Sequence, residues 1–115
     1  MLLDVNDSEF ENRLARLMEN LDQAAKVLRD HGEDRWLGWV TRCRRELEAY
    51  DAAAFDHVLG AYGGMGSFND LLLLSMNGHV VGVGEESAVN ERLRTLRTAI
   101  WEDAIALRHD LGPSS

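Results

Sequence analysis

The sequence predicts a mainly α protein of the α+β kind: a bundle of about four helices with a small β-hairpin inserted before the last one. Three observations carry this reading. Two apolar stripes with 4,3,4,3 spacing follow each other almost without a break, at Phe10 to Leu28 and at Trp36 to Tyr50. A third long stripe, Val89 to Leu107, closes the chain. Between them lies a glycine-rich segment, then four consecutive leucines, then Asn77-Gly78, the strongest two-residue hairpin signal.

The first helix is expected over about 8–30. Phe10, Leu14, Leu17, Leu21, Ala24 and Leu28 form one face. Ser8 and Glu11 fit an S-x-x-E capping box, and His31-Gly32 supplies a stop. The second helix is expected over about 33–50, with Trp36, Val40, Cys43, Leu47 and Tyr50 on its inner face and Arg35, Arg42 and Arg45 opposite. So short a connection favours an antiparallel helical pair. Asp51 reads as the N-cap of a shorter helix over 52–61, with Phe55, Val58, Leu59 and Tyr62 as its apolar positions.

Gly63-Gly64-Met65-Gly66-Ser67 cannot continue that helix cheaply, since each glycine costs about 1 kcal/mol relative to alanine. Gly63, Gly64 and Gly66 read as a structural loop that turns the chain sharply, with Ser67, Asn69 and Asp70 capping the freed backbone groups. The hairpin is expected over 70–83, its strands at 70–76 and 79–83. The last helix is expected over 87–109. Val89, Leu93, Leu96, Ile100, Ala104 and Leu107 make its main stripe, and Gly112-Pro113 ends it. Trp101 and Ile105 fall on a neighbouring side among arginines, where they either widen the core face or form an exposed apolar anchor.

A chain of 115 residues with 45% hydrophobic and 28% charged content makes one domain, 1–115, with a substantial core. One cysteine excludes a disulfide scaffold. No apolar run approaches the roughly 20 residues of a membrane span, and Met1 to Asp7 has neither a basic nor an apolar leader region, so a cytoplasmic protein that engages no membrane is expected. The net charge of −8 is unevenly placed: residues 51–91 hold six acids and no lysine or arginine. Such a stretch repels phosphate backbones and attracts basic partners, so no nucleic-acid partner is expected.

Catalytic and metal readings fail on spacing. His31, His57, His79 and His109 are isolated from one another, so no helix face offers two metal ligands. Cys43 lies on an apolar stripe, where a cysteine acts as a small hydrophobe. Ser67 is followed by Phe68 and Asn69, unlike a G-x-S-x-G elbow, and the glycine segment lacks the G-K-[ST] ending of a phosphate loop. His57 is near enough in sequence to the glycine segment to meet Ser67 or Asp70, which keeps a small enzyme built on that loop as one alternative. No catalytic residue, cofactor or metal is otherwise expected.

The segment Ala61-Tyr62-Gly63-Gly64-Met65-Gly66-Ser67-Phe68-Asn69-Asp70-Leu71 resembles the signature of a family of small, uncharacterised bacterial proteins. In these a helical pair precedes the motif, and an N-G turn and a final helix follow. The likeness extends over about 10–109, including Trp36-Leu37 and Asn90-Glu91-Arg92-Leu93. Members are similar in size and composition to immunity proteins, which neutralise toxins passed between competing bacteria. The resemblance implies a binding protein, not an enzyme, that covers a cognate toxin by steric occlusion. The acidic segment suggests that this toxin is basic and acts on nucleic acid. The expected contact residues are Asp56, Asp70, Glu85 and Glu86, with Phe68 and Asn69 if the loop tip is exposed. The alternative is a structural or regulatory helical module that forms homodimers through Trp101 and Ile105.

Overall fold

The computed structural model describes residues 2–62, 67–82 and 84–111. Its helices are α1 (Leu2–Asp30), α2 (Asp34–Glu48), α3 (Ala53–Gly60) and α4 (Glu86–Asp110), with single 3₁₀ turns at Phe68–Asp70 and Ser75–Asn77. α1 spans about 43 Å at 1.5 Å per residue, and this length sets the long axis of a body measuring 54 × 25 × 21 Å. α1 packs mainly on α4 and α2, while α3 packs on α4 and α2.

Cross-helix polar pairs show the direction of packing. Arg16 meets Asp103 at 3.1 Å, Arg13 meets Asp110 at 3.4 Å and Arg92 meets Gln23 at 2.8 Å, so α1 and α4 run antiparallel. Leu14, Leu17, Leu21, Ala24 and Leu28 of α1 face Leu93, Leu96, Ile100, Ala104 and Leu107 of α4, and all are buried. Val40, Cys43 and Leu47 of α2 and Ala54, Phe55 and Val58 of α3 complete the core. Phe68 sits at one side of it with no exposed surface. Its ring centroid lies 5.2 Å from both Trp36 and Trp39 and 6.0 Å from Tyr62.

Helix ends follow local chemistry. α1 begins at Leu2, so Ser8 and Glu11 lie within the helix and do not start it. Gly32, at φ +74°, reverses the chain after α1, and Glu33 caps α2 by accepting from the Trp36 N–H at 2.9 Å. α2 ends two residues short of the expected 50. Tyr50 N–H donates to the Leu47 carbonyl and Asp51 N–H to that of Glu46, a Schellman closure with Tyr50 in the left-handed position at φ +59°. Tyr50 is therefore almost fully exposed, not the last member of the inner stripe. The N-cap of α3 is Ala52, one residue beyond the expected Asp51, which accepts from the Ala53 N–H at 3.0 Å in the turn leading into the helix.

The expected β-hairpin at 70–83 is absent: the described residues contain no strand, and the protein is a mainly α bundle. Asn77-Gly78 does form a tight turn, with Gly78 at φ +89° and the His79 N–H donating to the Leu74 carbonyl. The flanking segments do not pair, because helices take their hydrogen-bonding groups first. The Asn90 carboxamide of α4 accepts from the Leu73 N–H at 2.7 Å and donates to the Leu73 carbonyl at 2.9 Å. Arg97 donates to the Leu71 carbonyl at 2.8 Å. At the other end, Val80 N–H donates to the His31 carbonyl at 2.9 Å. Residues 71–82 thus form a strap held across the end of the bundle. Leu73 is fully buried under it, whereas the rest of the leucine run is half-buried or exposed.

Candidate functional site

The strap joins three elements. From the α1–α2 turn, the His31 Nδ1–H donates to the Val80 carbonyl at 2.6 Å. His79, mostly buried, accepts at Nδ1 from the Leu74 N–H at 3.0 Å. That bond fixes its tautomer, leaving the Nε2–H to donate to Glu33 at 3.3 Å. From α4 come Asn90 and Arg97, and Glu86 accepts from the Ser75 hydroxyl at 3.3 Å. Glu85 folds over Gly82, its carboxyl carbon 3.2 Å from where a Cβ there would stand.

With Leu71, Leu73, Leu74 and Val80 held through their backbone groups, the strap presents large apolar side chains outward. Met76 is 85% exposed, Val80 69% and Leu72 52%. Exposed Asn69 and Asp70 lead into this segment, and Glu85 and half-buried Glu86 follow it. The arrangement is an exposed apolar surface with acidic residues at both ends of its chain.

The expected contact residues separate into groups. Asn69, Asp70, Glu85 and Glu86 adjoin the strap. Phe68 is fully buried in the aromatic cluster, so it is a core residue and presents no surface. Asp56 is elsewhere: it pairs at 2.9 Å with Arg108, which is 22 residues, or about 33 Å of helix, beyond Glu86 on α4. Gly63, Gly64 and Gly66 lie outside the described residues. Ser67 is half-buried at the start of the turn leading to Phe68.

Beneath this region Arg97 is buried, and desolvation, helped by Arg94, draws its guanidinium below the usual value while Tyr62 and Asp70 work the other way. The Tyr62 hydroxyl donates to the Arg97 carbonyl at 2.7 Å, and burial pushes its phenol up.

A second feature is a hollow of about 340 Å³ lined by Trp36, Trp39, Arg42, Cys43, Asp56 and His57, among others. His57 donates from Nδ1 to Glu46 at 2.8 Å, so its partner is a residue of α2 and not Ser67 or Asp70. Burial, helped by the Glu46 carboxylate, pushes the Cys43 thiol up to about 12, which leaves it protonated and unreactive at neutral pH. Among the described residues no three His, Cys, Asp or Glu side chains cluster as metal ligands, and no helix is long and apolar enough to cross a membrane. Trp101 and Ile105 are each about two-fifths exposed, and Trp101 shares a shallow hollow with Tyr62, Asn69 and Thr98.

Sequence reasoning missed Leu72, Met76 and Val80 as surface residues, and Asn90, Arg97 and His79 as the groups that shape them. One signal was present. Asn90 and Arg97, seven apart, bracket Leu93 on nearly one face of α4, where a helix buried only against apolar neighbours would carry no polar side chain.

Residues 29–82 match a family model described as "Domain of unknown function (DUF6966)". The matched stretch contains the 61–71 signature and the whole strap, so the chain is similar to an uncharacterised family there. No curated protein and no solved structure matches the chain.

Proposed function

We propose that this protein is a binding protein of the immunity type, which neutralises a basic cognate toxin by docking the 71–82 strap over it. The observation that carries the proposal is the outward set of Leu72, Met76 and Val80 on a backbone already fixed by His31, His79, Asn90 and Arg97. A surface ordered before binding loses little entropy on association. Charge selects the partner. The net charge is −8, and the absence of lysine and arginine from 51–91 leaves Asp70, Glu85 and Glu86 beside the strap to steer a basic surface toward it. Neutralisation is steric, and the binding of the toxin's substrate is what the strap blocks.

The test is growth rescue in bacteria that express a basic toxin, taken from the genes adjoining this one. The wild type is expected to restore growth. Met76→Asp with Val80→Asp is expected to abolish rescue while leaving the circular dichroism and melting temperature unchanged. Charge reversal at Glu85 and Glu86 should slow association and weaken its salt dependence. Failure of the wild type to rescue, or full rescue by the double variant, overturns the proposal.

A second reading rests on the exposed Trp101–Ile105 pair, which would make the chain a homodimeric helical module. Light scattering decides it: a dimer that Trp101→Glu converts to a monomer supports this reading, and a monomeric wild type removes it.

A further inference from the structure

We propose that His79 is an acid-sensitive latch on the strap: protonation of its imidazole frees the Leu74 turn while the Val80 end stays fastened. The effect on partner binding rests on the docking role given to the strap above.

The two ring nitrogens of His79 have different partners. In the fastened state Nδ1 of His79 is an acceptor, filled by the Leu74 N–H at 3.0 Å, and Nε2–H is a donor to Glu33 Oε1 at 3.3 Å. Glu33 is itself fixed, because its other oxygen caps α2 through the Trp36 N–H. A second proton on the ring must go to Nδ1, the atom that is accepting. Two N–H groups would then face each other, and the Leu74 N–H would lose its acceptor.

His31 behaves differently. Its Nδ1–H already donates to the Val80 carbonyl at 2.6 Å, so its second proton goes to Nε2 and leaves that bond intact. The Val80 N–H to His31 carbonyl bond involves no ring at all. One histidine therefore breaks its strap contact on protonation and the other keeps it.

The charged groups around the latch set which part moves. From the α1–α2 turn, the Glu33 carboxylate accepts from the Nε2–H of the His79 ring, and the His31 ring is held on the Val80 carbonyl. At the end of α1, Asp30 is paired with Lys26. From α4, Glu86 is engaged with Ser75, and Glu85 lies over Gly82. The ring thus stays on Glu33, and it is the Leu74–His79 turn, with Met76 at its tip, that lifts. An imidazole takes its second proton in water near pH 6.5, within reach of ordinary environmental acidification.

The experiment is native-state amide exchange, followed by NMR on the free full-length chain at pH 7.5 and 5.5 and expressed as protection factors. Losing one hydrogen bond corresponds to about a 10-fold fall in protection at the Leu74 amide relative to that of Val80. His79→Asn, whose carboxamide oxygen can accept from the Leu74 N–H at both pH values, is expected to remove the pH dependence. Unchanged Leu74 protection in the wild type, a joint fall of Leu74 and Val80, or an equal fall in His79→Asn overturns the latch. Should His79→Asn fail to fold, ring-nitrogen correlations of the wild type at pH 7.5 decide: the Nε2–H tautomer supports the latch and the Nδ1–H tautomer overturns it. Because the free chain is measured, a failed rescue assay would remove the docking role and leave this result standing.

Discussion

Asn90→Ala is the substitution that probes the strap most directly. Its carboxamide makes three bonds, to the Leu73 N–H at 2.7 Å, the Leu73 carbonyl at 2.9 Å and the Glu86 carbonyl at 2.8 Å. Removing it strands both backbone groups of Leu73, a residue with no exposed side-chain surface. Each buried unsatisfied group costs about 1–3 kcal/mol, so a strap that stayed in place would cost about 2–6 kcal/mol. The strap has a cheaper escape. It can lift and rehydrate Leu73, giving up the leucine's burial at about 1.5–3 kcal/mol. The lower route wins, and alanine returns about 0.5 kcal/mol of helix propensity to α4. The expected net loss is about 2 kcal/mol, seen in urea denaturation as a midpoint lowered by about 1–2 M with little change in slope. Amide exchange should locate it, with faster exchange at Leu73 and Leu74 than at core amides of α1. A loss under about 0.5 kcal/mol, within the range of ordinary surface changes, would refute the view that this side chain stands in for a neighbouring strand.

Phe68→Ala should destabilise the chain by about 3–5 kcal/mol in the same denaturation assay, because it empties the centre of the Trp36, Trp39 and Tyr62 cluster. Tyr50→Gly should raise the melting temperature by several degrees, a gain of about 1 kcal/mol, since glycine adopts the left-handed closure of α2 without strain. Cys43 should resist iodoacetamide at pH 8 until the chain is unfolded in guanidinium. Its raised value has a definite sign in linkage. The folded state holds the thiol proton more tightly, so the thiol's contribution is whole below its unfolded value and is lost as pH rises toward about 12. Urea midpoints should accordingly fall above about pH 9, and should do so less in Cys43→Ala.

The helices were legible because burial imposes a period. Leu14 to Leu28 and Leu93 to Leu107 repeat at 3 and 4 and are buried as that spacing requires. The same rule overran at Tyr50, where the stripe continues in sequence after a Schellman turn has ended the helix. The 70–83 segment was misread for a different reason. Its turn signal was sound and Gly78 uses it, but a turn does not choose the partner of the flanking backbone. Asn90 and Arg97 compete for that backbone from elsewhere in the chain, and no local pattern in 70–83 reports their presence. Of the candidate site, the acids beside the strap were readable from charge alone. The side chains that face outward depended on knowing which leucine Asn90 pulls in.

The strap's mode of attachment has a consequence for how such a surface can change over generations. A paired strand ties each outward residue to a register, so altering its surface risks its pairing. Here the fastening belongs to His31, His79, Asn90 and Arg97, whereas the side chains of Leu72, Met76 and Val80 are exposed and make none of those bonds. Substitutions at the exposed Leu72 and Met76 side chains leave the anchoring residues themselves unchanged. Two of the anchors lie on α4, beyond the 29–82 stretch shared with the family model. A graft of the matched segment alone would therefore carry the surface with His31 and His79 but without Asn90 and Arg97.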